Sequence, residues 1–306
     1  MNNVFSPPQG EGIAAAVSGG ADSMALLLLL KQEYPKLHAL TVDHGLRRES
    51  AGEAAQVARW CEALAVPHSI LRWQHDGITS GIPEKARDAR YALMLEWCRA
   101  HEVKHLFTAH HLDDQIETML LRLLRGSGLV GLSGMLPVSE RDGVFLHRPL
   151  LSLPKSELIA ILEKAGQAWL EDPSNHDLNF TRNALRVHLR DLTWEQKKRF
   201  HAVAESFRRF RFGLEAHVDA ALAECFSSNT LNHAAFIQQP EELKIRLLHH
   251  ICHRVSGNGE PVRSEKIARL RASLETGAGK HMLHGVVFCW QPPASSWLVT
   301  RTKSLN

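Results

Sequence analysis

The chain has 306 residues, of which 44% are hydrophobic and 23% charged, the balance of a globular protein long enough for two domains. Its 36 basic and 33 acidic residues leave a formal charge of only +3, so any nucleic-acid partner has to be held by local clusters rather than by bulk charge. No apolar run approaches the roughly 20 residues of a membrane span, the N-terminus lacks a signal-peptide pattern, and the five cysteines form no C-x-x-C pair; these features exclude membrane insertion, a disulfide framework and a zinc or iron–sulfur site, and make the cytoplasm the expected compartment.

In chain order, Ile13 to Val17 is an apolar strand, Ser18-Gly19-Gly20 turns the chain, and Asp22 to Gln32 is a helix. Strands follow at Leu37 to Val42, His68 to Trp73 and Lys104 to Thr108. Between and after them lie helices over Glu53 to Ala65, Glu84 to His101 and Asp113 to Arg125, the last with an apolar face of Ile116, Met119, Leu120, Leu123 and Leu124. Strands alternating with helices predict an α/β fold, a doubly wound parallel sheet covered on both sides. From about Thr193 a helical period takes over: Trp194 to Cys225, Pro240 to Val255, and Glu265 to Leu274 with Ser264 as N-cap. Val286 to Trp290 and Trp297 to Thr300 suggest a terminal hairpin. The expected division is therefore a nucleotide-type domain over 1–192 and a smaller, mainly helical domain over 193–306.

The most informative string is Ser18-Gly19-Gly20-Ala21-Asp22-Ser23, where a strand gives way to a helix. Glycines let a backbone approach phosphate closely, and the new helix offers free N–H groups at its positive end. Ser18 and Ser23 add hydroxyl donors. A carboxylate at Asp22 repels phosphate unless a metal bridges the two, and Mg²⁺ is the usual bridge. An ordinary strand–turn–helix corner explains Gly-Gly alone, but not the whole string. The string is neither a Walker A loop nor a G-x-G-x-x-G loop.

Three more strings stand at strand exits or on helix faces. Val42-Asp43-His44-Gly45 follows the second strand, where a base or ribose would lie; a plain polar strand exit reads equally well. Arg87 and Arg90 share a helix face and could neutralise phosphate or pair with Glu84 or Asp88. His110-His111-Leu112-Asp113-Asp114-Gln115-Ile116-Glu117 places Asp114 and Glu117 three apart, able to hold an ammonium group or a metal. The alternative is acidic residues complementing a helix dipole.

The loop string resembles that of the ATP pyrophosphatase superfamily, whose members release AMP and pyrophosphate. With VDHGLR, ARDARY, TAHHLDDQIETMLLRLLRGSGLVGLSGM and EDPSNHDLNFTRN following in order, the first 190 or so residues resemble the bacterial tRNA(Ile)-lysidine synthetases. The resemblance implies adenylation by ATP of the wobble cytidine in a CAU-anticodon tRNA(Ile), then attack by the ε-amine of free L-lysine. It further implies that Ser18 to Ser23 hold ATP and Mg²⁺, with Asp22 on the metal and Asp43 and His44 at the nucleotide. Arg90 would assist activation, Asp114 and Glu117 would bind lysine, and Arg182 would lie near the reacting centre. His110 is a candidate proton acceptor, or a histidine that merely packs.

Two departures accompany this resemblance. Ala184 stands where a further arginine is expected, and the chain stops before the additional C-terminal domain of long members, implying a short form with fewer tRNA contacts. Arg208, Arg209 and Arg211 on the first helix of the second domain are expected to meet tRNA phosphates, with Phe200, Val203, Phe207 and Phe210 turned to the core. A solvated helix face is the alternative. A tRNA 2-thiolase is the nearest rival, disfavoured by the lack of C-x-x-C; a small-molecule synthetase such as an NAD synthetase and a non-catalytic tRNA-binding protein are others. The sequence leaves the oligomeric state open, a homodimer included.

Overall fold

The structure is a computed structural model that describes residues 10–75, 81–171, 185, 189, 191–257 and 262–302. It forms two compact units, Met1–Arg208 and Arg209–Asn306.

In the first unit β1 (Ile13–Ala16), β2 (Leu37–Asp43), β3 (His68–Arg72), β4 (His105–Phe107), β5 (Val138–Arg141) and β6 (Val144–His147) form one sheet in the order β3-β2-β1-β4-β6-β5. All neighbours pair parallel except the edge strand β5, which pairs antiparallel with β6. The helices are α1 (Ala21–Glu33), α2 (Ser50–Ala63), α3 (Ile82–Ala100), α4 (Leu112–Leu124), the short α5 (Leu129–Leu132) and α6 (Lys155–Ala165).

The sequence shows why α1 sits where it does. Met24, Ala25, Leu26, Leu27 and Leu30 leave it no polar stripe, and a helix apolar all round has to be buried. It packs in one core with β1, α2 and α6. The opposite face of the sheet is closed by Tyr91, Met94, Leu95 and Cys98 of α3. Both faces of the parallel strands are thus covered, as such strands require.

The glycines between α4 and β5 follow from two α4 side chains. Gln115 accepts the Met135 N–H at 2.7 Å, and Arg122 donates to the carbonyls of Gly131 and Gly134 at 2.8 and 2.9 Å. Gly134 has φ +67°, and a Cβ there would fall 2.6 Å from the Gln115 side chain. The loop wraps back over the helix.

The apolar face expected of α4 is only partly covered. Ile116 and Met119 are buried, but Leu123 is 57% and Leu124 76% exposed. Leu123 lines an open apolar groove with Phe200, Val203 and Phe207 from α7 (Trp194–Cys225), the helix that spans the division between units. Val203 and Phe210 are correspondingly exposed rather than turned to a core, because periodicity marks an apolar stripe without supplying what covers it.

In the second unit α8 (His233–Gln238), α9 (Glu241–Ser256) and α10 (Ser264–Glu275) accompany an antiparallel sheet ordered β7-β8-β11-β10-β9. Its strands are β7 (Phe226–Ser227), β8 (Thr230–Asn232), β9 (Lys280–Leu283), β10 (Val286–Gln291) and β11 (Ser296–Arg301). The expected terminal hairpin is β10–β11, whose Val286, Phe288, Trp297 and Val299 point into the core with Leu247, Leu248 and Ile251 of α9. Arg263, not Ser264, is the N-cap of α10.

Candidate active site

The carboxyl ends of β1, β2, β4 and β6 open on the same edge of the sheet, and the residues singled out by sequence gather there. After β1 the chain passes Ser18 and Gly19 into α1, whose N-cap Gly20 has no side chain to satisfy the first amides. Gly19 takes φ +88°, a Cβ on it would meet Leu170 at 2.7 Å and Val57 at 2.8 Å, and its carbonyl accepts the Leu170 N–H at 2.9 Å. Gly19→Ala is therefore expected to lower stability by about 2 kcal/mol or more, from the left-handed backbone and overpacking together, read as a shifted urea midpoint.

Ser23 braces the loop. Its hydroxyl donates to the Gly20 carbonyl at 2.9 Å and accepts the Ser18 N–H at 3.2 Å; the Ser18 hydroxyl lies 3.3 Å away. Asp43 plays a similar part after β2, one carboxylate oxygen accepting the Gly45 N–H at 3.0 Å and the Ser50 hydroxyl at 2.7 Å. His44 stands beside it, its ring edge-on to Trp73. Burial, then the charge of Arg90, pull its pKa below the usual histidine value against Asp43.

The centre of the site is His111, the N-cap of α4. Its Nε2 lies 3.5 Å from a carboxylate oxygen of Asp22 and 3.5 Å from one of Asp114, and Nδ1 lies 3.6 Å from Asp113. Burial opposes charge on this ring, but Asp113, Asp22 and Asp114 outweigh it and hold the pKa up to about 10. The Asp113 N–H also lies 3.2 Å from Nδ1, the cap that a neutral ring would accept. Three carboxylates around one imidazole favour the charged form, with Nδ1 donating towards Asp113. Burial raises the Asp113 carboxyl, but His111 and Lys197 overcome it and hold it well below the ordinary range. The Lys155 ammonium stands 3.9 Å from Asp22.

Asp114 and Glu117 lie on the first turns of α4 as expected. Asp114 accepts the His111 N–H at 3.1 Å, and Glu117 is only 3% exposed. A buried carboxylate is expensive unless a cation or donors compensate it.

His110 turns the other way. Its Nδ1 lies 3.0 Å from the Thr108 hydroxyl, which itself reaches the His147 carbonyl at 3.3 Å. With that hydroxyl donating to the carbonyl, Nδ1 carries the proton and Nε2 is left as an acceptor. Burial, and then Arg148, Arg87 and Arg90, hold the ring neutral with a pKa of about 3, against Asp114.

Arg90 sits half-buried on α3, its guanidinium 5.7 Å from the Tyr91 ring. Arg182 lies outside the described residues, as does the string 172–183. Of the arginines expected to meet tRNA, Arg208 is paired with Glu205, Arg209 is exposed and Arg211 is half-buried. Sequence reasoning did not single out Lys155 or Arg148, and treated His111 only as part of a string. Arg148 directly follows β6, so a correct placement of that strand would have put it at the ligand edge.

Residues 1–192 match the family model of the PP-loop domain. The tRNA(Ile)-lysidine synthase of a Bradyrhizobium strain is 41% identical over 294 residues, covering 89% of this chain and 82% of the relative. That of Rhodopseudomonas palustris is 40% identical, covering 88% and 81%. Among solved structures, the U34-tRNA thiolase NcsA from Methanococcus maripaludis superposes with a TM-score of 0.56 at 16% identity, over 66% of this chain and 73% of that one, a likeness of fold alone.

Proposed function

Since the chain belongs to the tRNA(Ile)-lysidine synthase family and carries its ATP-binding PP-loop domain, we propose that it joins free L-lysine to the wobble cytidine of CAU-anticodon tRNA(Ile) through an adenylated tRNA. The observation that carries this reading is the meeting of Asp22, from the glycine loop, with Asp114, from the helix that also bears Glu117, on one histidine nitrogen. In this reading a site for phosphate chemistry lies beside a site for a cationic nucleophile.

In the first step the cytosine 2-oxygen attacks the α-phosphorus and pyrophosphate leaves; in the second the lysine ε-amine attacks the 2-carbon and AMP leaves with that oxygen. The amides at the start of α1 would receive phosphate, and Asp22 would hold Mg²⁺. The donor set fits that ion, because Asp22 offers a hard carboxylate oxygen beside the free amides at the start of α1. Among the described residues no group of three or more His, Cys, Asp or Glu is placed to hold a metal by itself, so phosphate and water would complete the shell. The bound ion would neutralise charge on the phosphates.

Asp114 and Glu117 receive the lysine ammonium end that becomes the nucleophile. His110, held neutral, orients the attacking amine by accepting one N–H at Nε2; with a pKa of about 3 it does not keep the proton, which passes on to solvent. Arg90 and Arg182 balance charge at the phosphate. Mass analysis of nucleosides from tRNA(Ile) incubated with the enzyme, ATP, Mg²⁺ and lysine tests the reading: lysidine at the wobble position supports it, and unmodified or otherwise modified cytidine overturns it.

Arg209 and Arg211 of the second unit are proposed as phosphate contacts. Replacing both with alanine is expected to weaken tRNA binding whatever the anticodon, and to flatten its log–log salt dependence by about one unit per lost contact. Filter binding over a salt series checks this, and an unchanged slope identifies a solvated face.

A further inference from the structure

Four arginines converge on one buried tyrosine beside this site. Tyr91 of α3 is 4% exposed, and the guanidinium carbons of Arg87, Arg90 and Arg141 lie 5.4, 5.7 and 5.7 Å from its ring centroid. The fourth, Arg148, donates to the Leu136 carbonyl at 2.9 Å and the Ser139 hydroxyl at 3.0 Å; its Nε is buried with no hydrogen-bond partner. Among the described residues none of the four makes an ion pair with a carboxylate, although Arg47, Arg99, Arg208, Arg246 and Arg271 do so elsewhere. Burial, opposed by Tyr91, makes the charge on Arg90 and Arg148 harder to keep.

Like charges gathered without counter-charge raise the energy of the empty site and lower it once an anion arrives. Planar guanidinium forks match phosphate oxygens in pairs. The cluster extends from the exit of β6 at Arg148 to the far end of the edge strand β5 at Arg141. In the sheet, β6 and β5 lie beyond β4 from β1, the strand that feeds the glycine loop. The cluster therefore borders the reacting centre from the side opposite β2 and reaches the edge strand at the exposed Arg141. That shape suits a polynucleotide backbone rather than the triphosphate held at α1.

We propose that Arg87, Arg141 and Arg148, organised by Tyr91, form a subsite for the RNA phosphodiesters flanking the target cytidine, with Arg90 facing the reacting phosphate beside them. The inference rests on the tRNA substrate proposed above. Arg148 and Tyr91 position the exposed Arg87 and Arg141, which make the outer contacts.

The test uses the full chain, a CAU-anticodon tRNA(Ile) transcript and ATP as separate probes. The Arg87→Ala/Arg141→Ala double variant alters two exposed side chains, so its fold is expected to hold. It should raise the Kd for tRNA about tenfold and flatten the salt slope by roughly 0.7–0.9 per lost contact, while the Kd for ATP stays constant. Arg148→Lys keeps the charge but loses the fork, and should also raise the KM for tRNA. A weakened ATP affinity with unchanged tRNA affinity would assign the cluster to the nucleotide and overturn the proposal. Unchanged affinity for both probes would reduce it to a structural brace. Failure of the wild-type enzyme to form lysidine would count against the proposed reaction and would leave the salt-slope comparison intact.

Discussion

Asp22→Ala should abolish tRNA-dependent release of AMP and pyrophosphate, lowering the rate by about 10²–10³-fold or more, while the protein remains folded. The side chain is partly exposed at the first turn of α1 and contributes no apolar packing, so the fold has little to lose. In the proposed reaction it contributes charge where a triphosphate would meet the helix N-terminus. The substitution has a second, independent signature. Asp22 is one of three carboxylates that hold His111 in its charged form, so the imidazole pKa, raised to about 10 in the intact site, should fall in the variant. Both are measurable, the first by pyrophosphate release and the second by NMR titration of the ring. Normal turnover with Mg²⁺ in a folded variant would remove Asp22 from the nucleotide site.

The second large effect separates the half-reactions. Asp114→Asn and Glu117→Gln should raise the KM for lysine by roughly 10- to 100-fold, the worth of a charge-assisted hydrogen bond of about 1.5–3 kcal/mol, with much less effect on adenylation. Asparagine can still accept the His111 N–H that Asp114 accepts now, so the cap of α4 survives and the change is one of charge. Glu117 is almost wholly enclosed, so removing its charge changes little that solvent can screen. Pyrophosphate release without lysine reads the first half-reaction, and lysidine formation across a lysine series reads the second. Equal loss of both, or an unchanged KM for lysine, would place these acids elsewhere in the chemistry.

The first four parallel strands were legible because each is a short apolar run between helical periods, and α1 because its run of leucines follows a turn. The β5–β6 hairpin was not. Val138–Arg141 is largely exposed at the sheet edge, so it carries no strong apolar signal. The same holds for β7 and β8, two and three residues long. Within the candidate site, motif spacing pointed to Asp22, Asp114 and Glu117. It could not tell which of two adjacent histidines faces which group: His111 turns to the carboxylates and His110 to Thr108 and the arginines. Arg148 went unnoticed because β6, only four residues long and joined to β5 by a tight turn, was not read as a strand. The stripe on α7 misled in the opposite direction, since Val203 and Phe210 keep helical spacing and yet remain exposed.

The central claim is that ATP activates the base itself by taking up its 2-oxygen. The most direct measurement supplies tRNA(Ile) with ¹⁸O at that oxygen, runs the reaction to lysidine, and weighs the AMP. One labelled oxygen in AMP and none in pyrophosphate is the predicted result; lysidine formed with unlabelled AMP would contradict the adenylated intermediate.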